Sequence, residues 1–287
     1  MNNDKLQEFY IGWMPKAPSS FAMHTKRILL ALLAIVVIAA ILLGISQKKF
    51  STGNFEFGVL TEVKGVYFNE PVASIKVVNG KDIFGSRSYT TIPVLGFGKM
   101  GAKGILEAVE KEKNVVLNQR EITLKGTLLY NDGKLLMQID SNDKPVVHIG
   151  NSVPADLLPV KQDLGDMQVK GEIVDPKCYF GVMKPGQGKP HKDCAIRCIL
   201  GGISPVLRVS NEDGANNYYI VVGPNGEKMN EAVKDYVAEP VTLQARAVKY
   251  GDWIVLYVKR EGITRYSYLQ EHFSNAVASC GPACIKR

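Results

Sequence analysis

The hydrophobic pattern begins as a block. Residues 28–47 carry no charge and are mostly Leu, Ile, Val and Ala; Lys26-Arg27 and Lys48-Lys49 bracket them. Twenty residues at about 1.5 Å each cross a hydrocarbon core of roughly 30 Å. The block predicts a single transmembrane helix, an uncleaved signal anchor. A cleaved signal peptide usually has a shorter apolar core and a shorter leading region. Positive charge is nearly balanced across the block, so orientation rests on the short amino tail, which usually stays inside. The larger carboxyl body is then expected outside the cytoplasm.

Beyond residue 60 the pattern becomes alternation. Period-two runs mark strands with one buried face. They cover 61–68, 72–78, 89–95, 120–130 and 134–140, with a helix-like stretch at 101–112. A second series covers 167–175, 205–210, 217–222, 241–249 and 252–259, with a helix-like stretch at 225–238. Asn131-Asp132-Gly133 and Tyr250-Gly251-Asp252 suit hairpin turns.

The two series are related. Glu62-Val63-Lys64-Gly65-Val66-Tyr67 returns 106 positions later as Gln168-Val169-Lys170-Gly171-Glu172-Ile173. Ile122-Thr123-Leu124-Lys125 returns 119 positions later as Val241-Thr242-Leu243-Gln244, and Leu135, Met137 and Ile139 match Ile254, Leu256 and Val258 at that offset. Three strands, a helix and two strands is the element order of the OB-fold, a five-stranded Greek-key barrel. The expected fold is mainly β with small α content: one N-terminal transmembrane helix followed by two tandem OB-like barrels. The expected boundaries are a tail at 1–27, the helix at 28–47, a linker at 48–60, the first barrel at 61–150, a linker at 151–166, the second barrel at 167–262 and a tail at 263–287.

The growth in offset makes the second copy 13 residues longer between its first and fourth strands. The extra length is expected in the connection at 176–204, which holds Cys178, His191, Cys194 and Cys198; the first copy has no cysteine. Residues 191–200 read as a short helix, with Pro190 suiting its first turn and Gly201-Gly202 its end. On a helix His191, Cys194 and Cys198 fall within roughly 60° of arc, and Cys178 enters from the preceding loop. Three thiolates and an imidazole form a closed tetrahedral set for Zn²⁺ or another thiophilic ion. Alternatives stay open at this point. Cys178 can form a disulfide with Cys194 or Cys198, or Cys194 and Cys198 can serve as a thiol-disulfide pair. Cys280 and Cys284, across a Gly-Pro turn, are expected to form a small disulfide.

Composition narrows the function classes. A chain of 287 residues that is 46% hydrophobic and 22% charged is not disordered. The net charge of +7 suits an anionic partner or membrane surface without calling for nucleic acid. Lys177, Lys184, Lys189, Lys192 and Arg197 surround the cysteines and form a candidate face for docking an acidic partner. No nucleophile elbow, phosphate loop, dinucleotide fingerprint or metalloprotease helix is present. The expected role is therefore non-catalytic; a thiol-disulfide oxidoreductase using Cys194 and Cys198, or an OB-type ligand- or nucleic-acid-binding module, are the alternatives.

The runs Gly171-Glu172-Ile173-Val174-Asp175-Pro176-Lys177-Cys178-Tyr179, Gly188-Lys189-Pro190-His191, Cys194-Ala195-Ile196-Arg197-Cys198 and Gly201-Gly202 resemble a segment of uncharacterised bacterial membrane-anchored envelope proteins. The resemblance covers about 35 residues. It implies an envelope protein associated with respiratory or other redox enzymes; with the expected anchor and orientation, the reading is a bacterial inner-membrane protein with a periplasmic body, an accessory or assembly protein of such a complex. It carries no catalytic residues.

Overall fold

The computed structural model describes residues 19–47, 53–81, 87–155, 158–211 and 215–266. Most of the amino tail, and Cys280 and Cys284 with their expected disulfide, lie outside the described residues. The chain divides into two units, residues 1–50 and 51–287. The first contains helix α1 (Ser19–Gln47), which begins nine residues earlier than the uncharged block. Its stretch Phe21–Ser46 is long and apolar enough to cross a membrane.

The second unit holds both barrels. The first is built from β2 (Thr61–Phe68), β3 (Ser74–Lys81), β4 (Arg87–Gly96), β5 (Arg120–Asn131) and β6 (Lys134–Ile139), with α2 (Lys103–Lys113) between β4 and β5. The ring closes because β6 pairs with β5 and, in parallel, with β4. The second is built from β8 (Lys161–Val174), β9 (Val206–Ser210), β10 (Asn216–Val222), β11 (Pro240–Tyr250) and β12 (Trp253–Arg265), closed by the parallel pair β10–β12. The two rings have the same strand order, that of an OB-fold. Each encloses its own core: Ile75, Leu106, Ile122, Leu124 and Met137 in the first, and Ile173, Leu207, Val241, Leu243 and Leu256 in the second.

Register locates the extra length. Gly65 and Gly171 are equivalent: a Cβ on either would meet the carbonyl oxygen of Lys76 or of Arg208 at 2.5 and 2.4 Å. Val66 pairs with Lys76, ten positions on, whereas Glu172 pairs with Arg208, thirty-six on. The insertion is thus 26 residues, twice the net difference read from the offsets. The later connections hide half of it. Lys76 pairs with Thr91, fifteen on, against ten from Arg208 to Tyr218. Thr91 to Glu121 is thirty positions, against twenty-two from Tyr218 to Pro240.

Several boundaries move. Residues 161–166, expected as linker, are the start of β8, paired with β11 but exposed, so no buried face marks them by alternation. β12 continues past 262 to Arg265. The helix expected at 225–238 shrinks to α4 (Asn230–Val233) and a 3₁₀ turn, because Gly223 and Gly226 close a tight turn before it. The first barrel gains β1 (Asn54–Phe55) and β7 (Val146–Ser152), both laid on β5.

The barrels meet along an apolar seam. Leu95, Leu129 and Leu136 of the first pack with Val174, Phe180, Tyr218, Ile220 and Trp253 of the second. Polar groups fix its angle. The Trp253 indole donates to the Thr91 carbonyl at 3.0 Å, and the Thr91 amide donates to Asp252 at 2.7 Å. The Tyr218 hydroxyl donates to Asp132 at 2.5 Å, joining β10 to the first barrel's hairpin turn.

Candidate metal centre

The insertion leaves β8 at Asp175 and turns at once. The Asp175 carboxylate accepts the backbone N–H groups of Lys177 at 2.9 Å and Cys178 at 3.4 Å. A π-helical turn, Cys178–Val182, follows and sinks Cys178, Tyr179 and Phe180 into the seam. The chain returns through a 3₁₀ turn, Lys189–His191, into α3 (Lys192–Leu200). Glu172 holds the start of that return, accepting the Gly188 amide at 2.6 Å while pairing with Arg208. Asn230 holds the end: its side-chain amide donates to the carbonyls of Ile199 and Ile203. The predicted helix and its Gly201 end are thus present.

This path gathers the chemistry. The ligand atoms of Cys178, Cys194 and Cys198 lie within 4.8 Å of one another, and those of Asp175, Cys178 and His191 do the same. Cys178 belongs to both sets. Sulfurs bound tetrahedrally at about 2.3 Å to zinc sit roughly 3.8 Å apart, so a small contraction suffices. All three cysteines are free thiols, not disulfides. Cys178, His191 and Cys198 are only 4%, 3% and 2% exposed, and Asp175 is fully buried; Cys194 alone of the sulfurs is partly exposed. The buried His191 Nε2 has no hydrogen-bond partner. A buried polar atom left unpaired costs about 1–3 kcal/mol, which coordination to an ion would recover.

Hydrogen bonding and burial shift the pKa of two of the candidate donors. The Cys178 thiol is pushed far up, first by its hydrogen bond to Cys198, then by burial and by the Asp175 charge. Burial lowers the His191 imidazole below its ordinary value, keeping it in the neutral form that binds metals. Two ammonium groups flank the cluster. Lys177 is buried, which lowers its pKa, and donates to the carbonyls of Gly96 at 2.9 Å and Gly98 at 2.6 Å in the first barrel. Lys99 is exposed and donates to Cys194 Sγ at 3.1 Å, a bond that raises its own pKa.

The four expected ligands are therefore brought into one neighbourhood, joined through Cys178. Asp175 was not anticipated as a ligand: beside Pro176 it read only as the end of a strand. Lys99 has no sequence signal, since it arrives from the other barrel. Of the expected docking residues, Lys184, Lys189 and Arg197 are exposed. Lys192 is spent on an ion pair with Glu239. Lys177 is a correction: its ammonium is buried on the first barrel's carbonyls and presents nothing to a partner. No protein-family model matches the chain, and comparison with curated proteins finds no significant relative.

Proposed function

We propose that this protein is a membrane-anchored accessory or assembly component of an envelope redox system. It binds a thiophilic ion, preferentially Zn²⁺, through Cys178, Cys194, Cys198 and His191, with Asp175 beside them. The observation that carries this reading is that Cys178 belongs to two triads of close donor atoms, one with the free sulfurs of Cys194 and Cys198 and one with Asp175 and His191, whose buried Nε2 has no hydrogen-bond partner. Charge favours a divalent ion. Three thiolates and one carboxylate carry four negative charges; a divalent ion, Lys99 and Lys177 carry four positive. A buried site with large net charge would be costly. The apolar helix confines the barrels to a membrane surface, and the exposed Lys184, Lys189 and Arg197 offer an acidic partner a place to dock. The association with a redox complex and the periplasmic position rest on the resemblance to membrane-anchored envelope proteins.

The test is metal analysis with thiol counting on the full chain in detergent. About one zinc per chain is expected, with Cys178, Cys194 and Cys198 protected from alkylation until a chelator is added. Cobalt(II) in its place should give thiolate-to-metal charge-transfer bands that weaken in His191→Ala. A metal-free chain with disulfide-bonded or freely reactive thiols would overturn the reading. The oxidoreductase alternative draws on the Lys99–Cys194 contact, because a neighbouring ammonium favours thiolate. It instead requires turnover of a disulfide substrate that Cys194→Ser abolishes.

A further inference from the structure

The centre's partly exposed donor, Cys194, is reached from the side of the first barrel. Four of its five candidate donors are buried, while Cys194 is partly exposed. The connection after β4 is pinned over that side. The Gly101 amide donates to the Gly201 carbonyl at 3.0 Å. Gly201 lies so close that a Cβ on it would stand 1.8 Å from the Lys99 carbonyl oxygen. With its backbone held there, Lys99 extends to Cys194 while its ammonium stays in solvent.

We propose that Cys194 is the exchange ligand of the metal centre and that Lys99 is its counter-ion gate. The inference rests on the metal-binding reading above. When the ion leaves, the sulfur–metal bond at Cys194 breaks first, and its electron pair stays on sulfur. That thiolate needs a partner at once. The Lys99 ammonium, already at hydrogen-bonding distance, supplies one without any proton leaving the lysine. The opening at Cys194 exposes a coordination position to solvent, where an incoming thiol or imidazole of a partner can bind the ion before Cys178, Cys198 and His191 let go. No electron is transferred at any step. Lys184, Lys189 and Arg197 lie on the same insertion, but no contact with the sulfurs involves them among the described residues. The gate is therefore assigned to the first barrel, which makes the docking of the two barrels part of the exchange mechanism. Lys99 is a positioning residue, since it acts through Cys194.

The experiment follows zinc release from the loaded full chain in detergent to an uncharged chromophoric chelator. Two unit charges about 3–4 Å apart in a water-like medium account for roughly a five- to tenfold effect. Lys99→Met is expected to slow release by about that factor, because the departing thiolate loses its counter-charge. Lys99→Arg is expected to restore most of the rate, and Lys113→Met, which removes the same net charge from an exposed position at the end of α2 in the first barrel, to leave it unchanged. The sign is diagnostic. If Lys99 merely tightened the seam, Lys99→Met would hasten release. Unchanged or faster release from zinc-loaded Lys99→Met overturns this inference alone. A wild-type chain that holds no zinc at the outset overturns the metal reading and this inference with it.

Discussion

At the scale of single residues, Lys76 is a costly side chain outside the candidate metal centre. It is 2% exposed, and its ammonium has no hydrogen-bond partner, only the rings of Phe68 and Tyr250 at 5.2 and 5.1 Å. Burial lowers its pKa from 10.5 to about 8, against an upward pull from Asp252 and with a further downward push from Lys161. The unfolded chain therefore holds this proton more tightly than the folded one. Stability should rise as pH increases from about 8 to 10.5, by about 3 kcal/mol from this group. Below pH 8 the penalty is fully present. Lys76→Met is expected to raise Tm at pH 7 and to flatten that rise. A variant whose pH dependence between 8 and 10.5 matches the wild type would show that Lys76 is not its source. Phe68 and Tyr250 partly offset the cost, since a desolvated cation over an aromatic face is worth about 2 kcal/mol. Nothing local in the sequence marks this position, because Tyr250 comes from the other barrel. In an isolated barrel Lys76 would read as an outward-facing strand lysine.

At the scale of elements, α3 is the piece whose placement decides the centre. Its own sequence predicts the helix, its Pro190 approach and its glycine end. Its position is set from outside: Asn230 caps its carbonyls, Glu239 holds Lys192, and Gly201 admits the first barrel's backbone. Gly201→Ala should therefore act on both stability and chemistry. The added methyl meets a backbone oxygen, which cannot swing aside as a side chain can, so a loss of about 1–3 kcal/mol is expected. Release of zinc should slow as the Lys99 ammonium is pushed away from Cys194. Thermal melting and the chelator assay together check it; an unchanged Tm would mean that the two backbones separate freely there. The spacing of His191, Cys194 and Cys198 was legible because helix geometry is local. The contribution of Asp175 was not, because an aspartate before a proline at a strand end looks like any turn residue.

At the scale of the whole molecule, the two barrels share an apolar seam, and a separate helix apolar enough to cross a membrane precedes them in the chain. If the body lies outside the cytoplasm, an exposed cysteine placed by Lys189→Cys should react with a membrane-impermeant maleimide in spheroplasts without lysis. Labelling only after lysis would put the centre on the other side and remove the periplasmic reading. The sequence alone determined the apolar helix, the duplicated OB-like order and the richer second copy. These rest on period-two burial, on a 20-residue uncharged run and on repeats, all carried by near neighbours in the chain. It understated the insertion, because shorter connections later in the copy cancelled half of the added length. Only the tertiary structure decided that Lys177 faces inward, that Lys99 meets Cys194 and that Cys178 and Cys198 belong to the seam between the barrels. Those contacts join residues about 80 to 100 positions apart. No local pattern encodes them, since they exist only once two separately closed sheets have buried their apolar faces against each other.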